Sequence, residues 1–199
     1  MRGYTFDAWV ELNDADKKLK AMLVRYSTSF PRVLAENKGL LMFGVRGTGK
    51  TFALAATARS ILEHGHNVAV INAAQITDLH GLDSDEWYKV VNTPFLALDD
   101  FGATRYTEFA QERMYRFIND RINANKPTAI TTNLSLDDIK YPPKDDEMTG
   151  RIYERVMQLT AGKPICFDDM PKRRIQAIRR DHSNSSWLDD ELLAEDIGA

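Results

Sequence analysis

Leu40-Leu41-Met42-Phe43-Gly44-Val45-Arg46-Gly47-Thr48-Gly49-Lys50-Thr51 is the stretch whose reading decides the fold. An apolar run ends at a glycine, and four residues later the chain reads Gly-Lys-Thr. This is the G-x-x-x-x-G-K-[ST] phosphate-binding loop with a strand in front of it. Phe52 to Leu62 then brings helix formers with apolar residues at helical spacing. The sequence therefore predicts strand, tight turn, helix. Glycines let the backbone curl so that successive N–H groups face a phosphate. The helix start adds its positive end and unpaired donors. Gly44, Val45, Arg46, Gly47, Thr48, Gly49, Lys50 and Thr51 are the candidate phosphate contacts. Lys50 suits the β- and γ-phosphates, and the Thr51 hydroxyl suits Mg²⁺.

A second apolar run, Pro94-Phe95-Leu96-Ala97-Leu98, delivers Asp99 and Asp100 at its end. In an open α/β sheet, ligands sit at the carboxyl ends of the strands. Asp99 is expected to hold the Mg²⁺ water shell. Asp100, one residue on, is expected to point the other way along the strand and to polarise attacking water. Neither acid can be buried cheaply without a metal or a partner. Thr128 to Thr132 reads as the next strand. Asn133 after it is either a hydrogen-bonding partner of the γ-phosphate or water, or a simple turn residue.

The 199 residues fit one domain with short additions, and 43% apolar residues suffice for a core. The net charge of -3 gives no global basic field, so any nucleic-acid contact must be local. One cysteine, Cys166, excludes an internal disulfide and is expected as a small buried hydrophobe. His64 and His66 read as surface residues at a helix end, with no cluster that would make them metal ligands. No signal-like segment and no membrane-length apolar run is apparent, so a cytoplasmic protein is expected.

Along the rest of the chain, Thr5 to Val10 is expected to lie extended against the domain. Ala15 to Phe30 reads as a helix with Leu19, Met22, Leu23 and Tyr26 on one face, ended or redirected by Pro31. This N-terminal part is expected to pack on the core near the base of a nucleotide. Val68 to Ile71 reads as a buried strand, with helices at 75–80 and 85–91. Thr107 to Asn125 reads as an amphipathic helix. Phe109, Met114, Phe117, Ile118 and Ile122 form its apolar side, and Arg113, Arg116 and Arg121 are read as solvated or salt-bridged. Leu136 to Met148 reads as a polar loop. Thr149 to Leu159 is a helix whose Arg151 and Arg155, four apart, share an edge suited to a neighbouring subunit's phosphate. A last short strand at 163–167 precedes a basic helix at 172–180. The acidic tail from Ser183 is read as frayed.

These motifs in this order resemble the DnaC/IstB-like AAA+ ATPases, which include bacterial and phage helicase loaders. The similarity runs from about Phe6 to Arg174. It rests on the phosphate loop, on Leu98-Asp99-Asp100-Phe101-Gly102, on 112–121, and on Lys126-Pro127-Thr128 with Thr131-Thr132-Asn133-Leu134-Ser135. The resemblance implies an α/β fold: a three-layer α/β/α P-loop NTPase with a five-stranded parallel sheet and a reduced or absent C-terminal lid. It implies an N-terminal extension at 1–38, an ATPase domain at 39–182 and an acidic tail at 183–199. By the same resemblance, Asp99 is the magnesium acid, Asp100 activates water and Asn133 is sensor 1. Arg155 falls at the arginine finger, with Arg151 the alternative, and Arg173 or Arg174 at sensor 2.

The implied cofactors are ATP/ADP and Mg²⁺. The implied partners are a replicative DNA helicase, single-stranded DNA and further copies of the chain with ATP at their interfaces. The leading expectation is an ATP-dependent helicase loader. The alternatives are an IstB-like transposition regulator, or an ATP-dependent assembly scaffold with little hydrolysis. Two departures stand out. The helicase-binding domain that precedes the core in familiar loaders has only residues 1–38 in its place. The segment before Asp99 is short, and offers DNA only His80, Trp87, Tyr88 and Lys89.

Overall fold

The computed structural model describes residues 3–77, 84–102, 107–143, 146–160 and 164–168. Helix α1 (Asp14–Thr28) starts at the Asn13 cap, whose side chain accepts the Asp16 N–H. Pro31 lies in the first turn of the short α2 (Phe30–Ala35), where its missing N–H has no helical acceptor to lose. It redirects the chain by opening a helix. The segment before α1 forms bends, not a strand. It is held by Asp16, fully buried, whose carboxylate accepts the Trp9 indole N–H at 3.2 Å and the Leu12 N–H at 3.1 Å.

Strand β1 (Leu40–Phe43) runs through the phosphate loop into α3 (Lys50–Glu63). β2 (Val68–Asn72), a 3-10 turn (Ala73–Thr77) and α4 (Asp85–Asn92) follow. Then come β3 (Phe95–Phe101), α5 (Glu108–Asn123), β4 (Thr128–Thr132), α6 (Leu136–Lys140), α7 (Glu147–Leu159) and β5 (Ile165–Cys166). The five strands pair in parallel in the order β2-β3-β4-β1-β5. One apolar layer, with Trp9, Leu23, Phe30, Ala53, Ile61 and Phe95, joins α1 and α3 to one face of the sheet. The other, with Trp87, Leu98, Met114, Phe117, Ile130 and Val156, joins α4, α5 and α7 to the opposite face. The result is three layers, α/β/α. Among the described residues no helix is long and apolar enough to cross a membrane.

Several local expectations change. Among the described residues β2 is an edge strand with one neighbour, Val70 is exposed and the strand is only half-buried. Cys166 is exposed, on the strand that forms the opposite edge among the described residues. Part of the supposed 136–148 loop is α6, started by a reciprocal capping box between Ser135 and Asp138. Phe109 is exposed in the first turn of α5, with the Arg113 guanidinium 5.5 Å from its ring centroid, and Met22 is exposed on α1. Arg113 and Arg121 are buried, not solvated. The expectations at 78–83, Lys163, 172–180 and the tail lie outside the described residues.

Candidate nucleotide-binding site

The loop after β1 curls as its glycines require. Gly44 has φ +130° and Gly49 φ +94°, the latter at the N-cap of α3 with no side-chain cap, so the first helical N–H groups remain open. The Lys50 ammonium folds back across the loop. It donates to the carbonyls of Gly44 at 2.6 Å and Val45 at 2.7 Å. Burial lowers its pKa. The negative charges of Asp168, Asp100 and Asp99 oppose that shift, in that order.

Gly44 is enclosed from outside by Asp168, just past β5. The Val45 N–H donates to Asp168 Oδ1 at 2.6 Å, and a Cβ on Gly44 would lie 2.5 Å from that oxygen. Gly44→Ala is therefore expected to cost about 1–3 kcal/mol through backbone strain. In a thermal melt this lowers Tm by about 2–12 °C for a chain of this size.

The acids reach the loop through an irregularity in the sheet. β3 pairs Leu98 with Ile130 and then Phe101 with Thr132, so β3 carries one extra residue against β4. That is a bulge, which breaks the alternation of side chains and bends the strand. Asp100 sits in it with φ +59°. It was expected to point away from Asp99, but both acids line one cleft of about 540 Å³ with Lys50, Thr51, Thr131 and Asn133. The Thr51 hydroxyl donates to Asp99 Oδ1 at 3.1 Å, and the Asn133 amide donates to Asp100 Oδ1 at 2.9 Å. Thr51 and Asp99 thus offer adjacent hard oxygens, the donor type Mg²⁺ takes.

Arg46, Gly47 and Gly49 also line the cleft. Gly44, Val45 and Thr48 are outside the cleft lining and make bonds within and behind the loop. The Thr48 hydroxyl donates to the Val45 carbonyl at 2.9 Å. Arg151 and Arg155 lie on α7, outside the cleft lining. Exposed Arg151 pairs with Glu147 at 2.6 Å. Half-buried Arg155 donates to Gln158 at 2.7 Å and to the Tyr115 hydroxyl. Arg173 and Arg174 lie outside the described residues.

Five residues of the site escaped the sequence reading: Tyr4, Phe52, Asn72 and Thr131 in the cleft, and Asp168 behind the loop. Strand alternation was a usable signal for Thr131, two residues before Asn133 and so on the same side of the strand. Nothing local marks Tyr4 or Asp168.

A curled loop at a helix N-terminus, facing strand-end carboxylates in a three-layer parallel sheet, defines the P-loop nucleotide-binding class. Residues 8–175 match the family described as IstB-like ATP binding protein, and the chain belongs to that family. The replicative helicase loader DnaI of Bacillus subtilis (strain 168) is 28% identical over 152 residues, which is 69% of this chain and 48% of that protein. A protein in an insertion sequence of Mycobacterium tuberculosis (strain ATCC 25618 / H37Rv), described as ATP-binding, is 25% identical over 143 residues. That is 67% of this chain and 57% of the other. The crystal structure of the DnaC helicase loader superposes with a TM-score of 0.69 at 25% identity, covering 82% of this chain and 96% of that one. The chain spans about half the length of the curated relatives it matches.

Proposed function

We propose that this chain is an ATP-dependent helicase loader that hydrolyses ATP between subunits. The observation that carries the hydrolytic part is the pairing of Asp99 and Asp100 opposite Lys50 and Thr51 in one cleft. Likeness to the DnaI and DnaC loaders supports the choice of client. In this reading the loop N–H groups, Arg46 and Lys50 bind the triphosphate, and Tyr4 with Phe52 forms an aromatic wall for the base. Thr51 and Asp99 hold Mg²⁺, which supplies charge neutralisation for the phosphates. Asp100 accepts the proton of the attacking water, and Asn133 orients that acid. Arg155, or Arg151 beside it, serves the cleft of the next copy, since neither lines its own.

The test is ATPase rate per subunit against protein concentration, for the wild type and for Arg155→Ala and Arg151→Ala. The wild-type rate should rise with concentration. Loss of the operative arginine should cost on the order of 10³-fold, as for arginines supplied in trans to GTPases. Mixing that variant with an Asp100→Asn variant should restore part of the rate, because one interface then holds both intact groups. A rate independent of concentration and of both arginines overturns the trans assignment.

The match to the IstB-like family and to an insertion-sequence protein favours one second reading, a transposition regulator with the same engine. Capture with nucleotide trapped on the Asp100→Asn variant separates the two. A replicative helicase with single-stranded DNA supports the loader. A transposase with duplex DNA supports the regulator.

A further inference from the structure

Strand β4 ends in two threonines with different tasks. The Thr132 hydroxyl donates to the Phe101 carbonyl at 2.7 Å and accepts the Leu134 N–H at 3.1 Å, bonds that hold the strand ends together. Thr131 does something else. Its side chain is 2% exposed, and its hydroxyl meets both acids. A hydroxyl carries one proton and two acceptor lone pairs. The proton goes to Asp99 Oδ1 at 2.5 Å, and a lone pair takes the Asp100 backbone N–H at 2.9 Å.

Both bonds bear on the placement of the acids. Asp99 Oδ1 already accepts from Thr51, so the second donor fixes the carboxylate against rotation. The extra residue of a bulge loses its ladder partner. Here the Thr131 side chain takes the Asp100 N–H in place of a backbone carbonyl. Asp100 also holds φ +59°, a conformation that costs energy and persists only where the surroundings enforce it. A single oxygen atom therefore ties down the carboxylate of one acid and the strained backbone of the next.

We infer that Thr131 is a positioning residue for metal binding and water activation: its hydroxyl aims Asp99 at the cation and sustains the bulge that turns Asp100 into the cleft. The inference rests on the cleft being a Mg-nucleotide site. Partners one step behind metal ligands typically change metal affinity or activity about 10–100-fold when removed.

The test uses the full chain with ADP, so that no turnover is needed, and Mn²⁺ as the probe ion detected by electron paramagnetic resonance. Thr131→Val, close in shape but without the hydroxyl, should weaken Mn²⁺ binding to the ADP complex by about 10–100-fold. ADP binding without metal should stay within about twofold of wild type, because the loop N–H groups that hold the phosphates are untouched. Thr131→Ser should restore metal affinity. Thr132→Val should lower Tm and leave metal affinity unchanged. If Thr131→Val fails to fold, Thr131→Cys, with its weak S–H donor, is expected to shift affinity in the same direction. A folded Thr131→Val or Thr131→Cys variant with wild-type Mn²⁺ affinity, or an equal shift from Thr132→Val, overturns the inference while leaving the nucleotide site standing. A wild-type chain that binds no Mn²⁺ with ADP overturns the site itself and this inference with it.

Discussion

Asp100→Asn is expected to slow ATP hydrolysis by about 10²–10⁴-fold, the usual contribution of a positioned general base, while Mg-ATP stays bound. The substitution is chosen for its backbone. Asp100 holds φ +59°, and asparagine tolerates that region as well as aspartate does. The new side-chain oxygen can still accept the Asn133 amide that donates to Asp100 at 2.9 Å. Only the charge and the proton-accepting capacity are removed. Asp100→Ala would add backbone strain and an unpaired Asn133 donor, and would blur the result. Single-turnover hydrolysis with equilibrium nucleotide binding on the same preparation checks the prediction. A rate within about threefold of wild type would move water activation to another group, since so small a change falls far below a general-base effect.

Arg121→Met is expected to destabilise the fold by about 3–5 kcal/mol, because it removes a charged donor from buried neutral acceptors and such bonds are worth about 1.5–3 kcal/mol each. Arg121 is fully buried. Its guanidinium donates to the carbonyls of Val91 and Thr93 at 2.7 Å each, to the Pro127 carbonyl at 2.8 Å and to the Thr128 hydroxyl at 3.1 Å. One side chain thus joins the end of α4, the approach to β3 and the start of β4. Burial pushes its pKa down to about 9, so it is still a cation at neutral pH. Methionine fills similar space and leaves those acceptors without their donor. Pro127 keeps the Leu96 N–H at 3.3 Å, so the loss falls mainly on Val91 and Thr93. Each buried acceptor left unpaired costs about 1–3 kcal/mol. Tm should fall by about 6–20 °C for a chain of this size. Arg121→Lys should fall between, because one ammonium cannot span four acceptors in a fixed fork. A methionine variant that melts with the wild type would show that the charge costs as much as its bonds return.

The chain family and the loop chemistry were legible in the sequence because they depend on local spacing. Gly44, Gly49, Lys50 and Thr51 act through a turn and a helix start that are contiguous in the chain. The apolar runs before Gly44 and Asp99 mark buried parallel strands for the same reason. Arg116 is the exposed, ion-paired residue expected, but Arg113 and Arg121 read as surface charge because helical spacing shows which face a residue occupies, not whether carbonyls from other elements await it there.

What the sequence alone determined, then, is the phosphate loop, the strand-end acids and the order of elements that makes a parallel α/β sheet. The tertiary structure alone decided that Asp100 faces the same cleft as Asp99, that Thr131 bridges them, that Asp168 closes the loop from behind and that Arg121 is a buried clamp. The physical reason is common to all four. Each depends on a register shift or on hydrogen bonds between segments far apart in the chain, and strand or helix periodicity carries no record of which segment becomes whose neighbour.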